Sequence, residues 1–265
     1  MRLKIAHTTT YDYDPPPTYG LQRLRLRPPN LASQQIADWE MTVVGATTHV
    51  GYQDEHFNAV DLIGVDEGAR HVSVAVRGSV ETFDTAGVTE RVGHAPLWLY
   101  ERSTPLTKAG DGVTALIAAA DANGLPSIDD FHNLAGKIAE RIDYLIGETT
   151  VTSTAEEAIA GGAGVCQDHA HVFISCARTM GVPARYVSGY LMMNDRVDQA
   201  ASHAWAEVWL DHLGWLGFDV SNGISPDERY VRVATGLDYL SAAPSAGVWT
   251  GQGNESIEVQ VQVQQ

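Results

Sequence analysis

A cysteine that follows a glycine-rich turn and opens a helix is placed to act as a nucleophile, and residues 161–170, GGAGVCQDHA, put Cys166 in that position. Unpaired backbone N–H groups and the positive end of the helix dipole favour an anion there, and so favour the thiolate, the form that attacks carbonyl carbon. The same N–H groups face the place where a carbonyl oxygen gains negative charge during attack, with the Cys166 N–H as the obvious donor. Gly161, Gly162 and Gly164 are expected to let the backbone come close to a substrate.

A thiolate needs a basic or cationic partner. Residues 202–207, SHAWAE, put His203 at the start of a strand, and a turn at 211–214 leads into GWLGFD, ending at Asp219. A hairpin sets Asp219 on the neighbouring antiparallel strand, where its carboxylate can fix the imidazole tautomer and stabilise the imidazolium. Trp205, two residues beyond His203, is close enough to border the pocket.

Other patterns carry less. Cys166, His169 and His171 read as Cys-x2-His-x-His, but side chains at 169 and 171 stand about 200° apart on a helix and do not converge on one ion, so no metal is expected. The GGAG glycines lack a following Lys-Ser/Thr, which argues against a nucleotide, and no Gly-x-Ser-x-Gly occurs. No cofactor is expected. Cys176 reads as a small buried hydrophobe, about 15 Å along the helix from Cys166, too far for a disulfide. Two free thiols favour a reducing compartment.

These residues need elements to hold them. Residues 1–95 contain alternating segments, LQRLRLR at 21–27, AVDLIG at 59–64 and HVSVAV at 71–76, broken by prolines and glycines. Period-two alternation predicts a β-sandwich-like amino-terminal domain. Asp54, Glu55, His56 and Asn58 read there as a polar turn. From residue 110 the apolar period becomes three to four, predicting helices over 113–122, closed by Asn123 and Gly124, and over 128–146, opened by Pro126 and Ser127. A short helix at 155–160 and a long one at 165–180, stopped by Gly181, follow. Strands are expected at 184–192, 203–210, 215–220 and 257–263, the last with no assigned sheet. Helices followed by an antiparallel meander make the class α+β, with domains at 1–95 and 96–265.

The chain has 265 residues, 44% hydrophobic and 19% charged, a composition that folds. Its formal charge of −16 repels phosphate backbones and anionic membrane surfaces, so neither nucleic acid nor membrane is an expected partner. The start, MRLKIAHTTTYDYD, lacks the apolar stretch of a signal peptide, and no run reaches the roughly 18 apolar residues of a membrane span. A cytoplasmic protein is expected.

Taken together, GVCQDHAH, PARYVSGYL, SHAWAEVWL and GWLGFD resemble the core of bacterial transglutaminase-like proteins, often described as cysteine proteases. The β-rich start resembles the domain that accompanies that core. The resemblance implies a papain-like core that needs no metal, with Cys166 as nucleophile, His203 as base and acid, and Asp219 as orienting carboxylate. In this superfamily a second oxyanion donor usually comes from an upstream side chain, which makes Tyr144 a candidate, with Gln167 a more local one. Two departures stand out: His169 replaces a usual aromatic residue, and 220–223 read VSNG where PTNG is more usual. His169 lies near the face of Cys166 and is a candidate to tune the thiol or line the pocket.

The expected chemistry is thiolate attack on an amide or peptide carbonyl of a peptide or protein substrate, giving a thioester that water or an amine resolves. Hydrolysis is slightly favoured, since water needs no dedicated site. The alternatives are glutamine transamidation, acyl transfer from a thioester donor as in arylamine acetyltransferases, and a non-catalytic peptide-binding module. No oligomeric state is implied.

Overall fold

The computed structural model describes residues 1–91, 93–121 and 126–265, so the expected helix stop at Asn123 and Gly124 lies outside the described residues. The chain begins with six strands: β1 (Arg2–Asp14), β2 (Tyr19–Arg27), β3 (Gln34–Val44), β4 (Ala46–Gln53), β5 (Ala59–Val65) and β6 (His71–Thr82). Alternate residues of β1 and β6 are buried, as the period-two pattern requires. Leu24, Leu26 and Ile63 of β2 and β5 pack on Val74 and Val76 of β6, making the sandwich interior. The polar turn before β5 is tied by Asp54, whose Oδ1 accepts the His56 and Asn58 N–H groups.

The second half runs β7 (Val88–Thr89), a 3-10 turn at Leu97–Glu101, α1 (Asp111–Ala119), α2 (Ile128–Arg141), β8 (Asp143–Tyr144), α3 (Ala155–Gly161), β9 (Ala163–Gly164), α4 (Cys166–Thr179) and β10 (Ala184–Leu191). There follow β11 (Asp198–Gln199), β12 (His203–Leu210), β13 (Gly214–Phe218), β14 (Tyr230–Gly236), α5 (Tyr239–Ala242), β15 (Ser245–Thr250) and β16 (Asn254–Gln264). The class is α+β, with a five-stranded sheet ordered β14-β10-β12-β13-β7 at the centre of this half.

That sheet is covered on both faces. Ala204, Ala206, Val208 and Leu210 of β12 meet Val172, Phe173 and Ala177 of α4 in the largest core. On the other face Val187, Leu191 and Trp205 pack with Tyr230, while Tyr190, Val231 and Val233 at the β10–β14 edge pack on Leu3, Ile5 and Val80 of the amino-terminal sheet. The carboxy-terminal strand, for which the sequence named no sheet, pairs antiparallel with β1 along its length, and β15 pairs with β2.

One element is shorter than expected. The helix predicted to reach residue 146 stops at Arg141, because Ile142 turns extended and Asp143–Tyr144 pair in parallel with Ala163–Gly164. The apolar spacing of 142–146 imitates a helical face, but a strand pairing claims its backbone. Ser127 caps the start through a reciprocal pair with Asp130, and Thr154 caps α3 through Glu157 in the same way.

Candidate active site

The helix α4 is buried from Cys166 to Arg178, which fixes the thiol at its first residue. The Asp168 carboxylate accepts the Val165 N–H at 2.8 Å and the Thr149 hydroxyl at 2.7 Å, tying the helix start to the loop before α3. The glycines here serve the turn. Gly162 has φ +67 as the cap of α3, and a Cβ at Gly164 would lie 2.7 Å from the Asp168 side chain. Cys166 is 9% exposed.

His203 opens β12, and its Nε2–H donates to Asp219 Oδ2 at 2.6 Å. The β12–β13 register pairs Ala206 with Phe218, so Asp219 lies opposite Trp205 and reaches His203 diagonally. With Nε2 engaged, Nδ1 is the ring nitrogen left to interact with Cys166. Burial alone would lower the His203 pKa, but the Cys166 charge and the bonds to Asp219 and Cys166 outweigh it and hold the imidazole at about 10. One chain of contacts therefore links Cys166, His203 and Asp219.

Asp219 is held by more than its histidine. Its Oδ2 also accepts Asn222 Nδ2 at 2.7 Å and the Tyr230 hydroxyl at 2.7 Å, while Oδ1 accepts the Asn222 N–H at 3.2 Å. Burial would raise this carboxyl's pKa, yet the bonds from His203, Asn222 and Tyr230 bring it below the usual range. Neither Asn222 nor Tyr230 was among the site residues expected from the sequence. Asn222 sits in the VSNG stretch already singled out, but nothing before β14 marks Tyr230.

The remaining candidates fall in different places. The Tyr144 ring meets His169 edge-on, and its hydroxyl is close enough to Cys166 to feel the charge of the thiol. Burial first, and then the Cys166 charge, push its pKa up to about 12, so it stays a hydroxyl donor at neutral pH. The Gln167 amide donates to the Val151 carbonyl at 3.3 Å, which holds a loop beside the thiol. His169 is buried, donating from Nε2 to the Ile142 carbonyl at 3.0 Å and accepting the Ser221 hydroxyl at Nδ1, 2.8 Å. Desolvation lowers its pKa, in keeping with that neutral tautomer. The Trp205 ring stacks on His203 with centroids 6.4 Å apart and is itself crossed by Tyr230.

Chemically, the arrangement offers a thiol flanked by a donor-rich main chain and a phenol, with an imidazole that can carry a proton. Comparison with known proteins gives the same direction. Residues 114–220 match the transglutaminase-like superfamily, and residues 3–81 match the bacterial transglutaminase-like N-terminal region. The fold is similar to that of a "Putative Cysteine Protease" from Cytophaga hutchinsonii, with a TM-score of 0.77 at 20% identity over 100% of this chain and 91% of that one. An uncharacterized protein of Mycobacterium leprae is 28% identical, covering 99% of this chain and 98% of its own. A protein-glutamine gamma-glutamyltransferase of Pseudomonas aeruginosa is 32% identical over 90 residues, 31% of this chain and 13% of that protein.

Proposed function

Because the chain belongs to the transglutaminase-like superfamily, we propose that it is a thiol-dependent enzyme that cleaves amide or peptide bonds of a peptide or protein through a thioester on Cys166. The observation that carries this reading is the contact chain from Cys166 through His203 to Asp219, with His203 Nε2 at 2.6 Å from the carboxylate.

The Cys166 thiolate attacks the carbonyl carbon, and the oxygen gains charge beside the Cys166 N–H and the Tyr144 hydroxyl. His203 as imidazolium passes its proton to the departing amine as the carbon–nitrogen bond breaks, which leaves the acyl group on sulfur. A water molecule, deprotonated by His203, then attacks the thioester and restores the thiolate–imidazolium pair. Asp219, held by Tyr230 and Asn222, keeps the ring oriented through both steps.

Transamidation is the second reading, favoured by the likeness of one segment to the Pseudomonas gamma-glutamyltransferase. The two readings share the thioester and differ in what resolves it. With two free thiols, we place the enzyme in the reducing cytoplasm.

Two experiments test the proposal. Iodoacetamide titrated across pH should alkylate Cys166 selectively well below pH 8 in the wild type and lose that selectivity in His203→Ala. Reactivity equal to that of a free thiol would leave only a binding module. Peptides incubated with and without a primary amine, followed by mass spectrometry, should yield hydrolysed product in both mixtures; amine adducts in preference to hydrolysis would select transamidation.

A further inference from the structure

The sheet face turned away from α4 carries a second group of charges that the thiol chemistry does not use. His203, Trp205 and Glu207 alternate along β12 on that face, which puts Glu207 about 13 Å from His203 at the usual strand rise. Glu207 is 1% exposed and pairs with two guanidiniums, Arg185 Nε at 2.7 Å and Arg232 Nη2 in still closer contact. One carboxylate serves two buried cations, and a buried guanidinium without its own counter-charge is costly.

The surrounding groups spread that charge without cancelling it. The Thr89 hydroxyl accepts from Arg232 at 3.2 Å, the Tyr100 hydroxyl acts on Arg185 from nearby, and the Trp215 ring lies 4.0 Å from the Arg185 carbon. Glu90 is exposed, acts on both guanidiniums only through its field, and has its carboxylate on the Ala32 N–H. Burial pulls the pKa of both arginines down, that of Arg185 to about 10.

Both arginines line a cavity of about 130 Å³ between the central sheet and the amino-terminal strands. Arg27 and His56 also line it, and among the described residues no Asp or Glu does. Arg27, with its side chain 45% exposed, stands at the mouth and is held by Asp61 at 2.6 Å, whereas Arg185 and Arg232, at 5% and 8%, form the floor. His56 Nδ1 is committed to the Tyr100 hydroxyl at 3.2 Å. In a chain of net charge −16, the charged side chains of this otherwise uncharged cavity wall, Arg27, Arg185 and Arg232, are all cationic.

We propose that this cavity is a binding site for a small oxyanion, a carboxylate or a phosphate, seated on the Arg185 and Arg232 guanidiniums with Arg27 closing over it. Guanidinium forks match the paired oxygens of either group, and the occupant supplies the counter-charge that Glu207 shares between two partners. The site is separate from the thiol and would be present whether or not the chain is an enzyme.

Thermal melting of the wild-type protein tests it, in inorganic phosphate and separately in acetate or malonate, against chloride at matched ionic strength. The melting temperature should climb by several degrees as the site fills, on the order expected for a ligand that binds only the folded state. The anion with the larger response identifies the class. Ala59→Glu, which brings a carboxylate to the cavity wall, should abolish the response. If that variant does not fold, Arg27→Ala, a change at the exposed mouth, should weaken the apparent affinity about tenfold, the effect of losing one charge-assisted bond. Equal melting in chloride and in both anions would overturn the proposal, as would an undiminished response in Arg27→Ala together with Ala59→Glu.

Discussion

The Tyr230 hydroxyl donates at 2.7 Å to the same Asp219 oxygen that receives His203 Nε2–H at 2.6 Å. Tyr230 is the first residue of β14, two strands away from β12 in the central sheet, so the carboxylate is braced from across the sheet as well as by its own loop. Tyr230→Phe removes a bond to a charged group whose worth is about 1.5–3 kcal/mol. The expected result is a loss of stability of that order in urea melts. Asp219 also loses one of the bonds that hold its pKa down, so the acid limb of the Cys166 alkylation profile should move to higher pH.

His203 should remain protonated far beyond the usual histidine range. Among the influences that raise its pKa to about 10, the Cys166 charge is the largest, ahead of the bonds to Asp219 and Cys166. The sign follows from linkage: a raised native pKa stabilises the fold fully below about pH 6.5, and that contribution disappears as pH climbs through 10. Cys166→Ala removes the largest raising influence, so the His203 pKa should fall. Histidine ring NMR across pH 5 to 10 reads it directly, and an unchanged titration in Cys166→Ala would show that Asp219 alone holds the proton.

Acid should unfold the protein through different histidines. Burial holds the pKa of His7 and His171 down to about 4, with His7 bonded to Tyr190 and Thr9 and His171 accepting the Tyr239 N–H. In the unfolded chain each takes a proton near pH 6.5, so stability is complete above that value and drains away as pH falls toward 4. At about 1.4 kcal/mol per pH unit, each group removes about 2 kcal/mol by pH 5. His203 opposes this slope slightly, since its folded form is already charged while the unfolded chain takes up that proton near pH 6.5. Urea denaturation at pH 7 and pH 5 measures the difference, which His171→Phe should reduce.

What could be read from the sequence was what is local. The residues around Cys166 announce a helix start, and the β12–β13 hairpin brings His203 and Asp219 together over sixteen residues, within the reach of pattern reading. The long-range relationships were opaque. β16 pairs with β1 from the far end of the chain, and alternation in IEVQVQV specifies a strand without naming its neighbour. Tyr230 reaches Asp219 only because the bulged β10–β14 register, shifted between Ser188 and Gly189, brings β14 alongside. Arg185 and Glu207 looked like ordinary polar positions of two strands until their direct opposition in the β10–β12 ladder buried them as a pair.

His169 departs from the aromatic residue usual in similar proteins, and its position gives that departure a consequence. It links two segments that flank the thiol: the Ile142 carbonyl, two residues before Tyr144, and the Ser221 hydroxyl, two residues after Asp219. A phenylalanine would fill the space but leave both groups unpaired, at a cost of about 1–3 kcal/mol for each orphaned group. Because the Ile142 bond anchors the chain that carries Tyr144 over Cys166, His169→Phe should also loosen the phenol from the sulfur. The expected outcome is lower stability in urea together with alkylation of Cys166 several-fold faster than in the wild type. If stability falls and the alkylation rate does not change, His169 steadies the fold without governing access to the thiol, and Tyr144 is held in place by its own contact with Cys166.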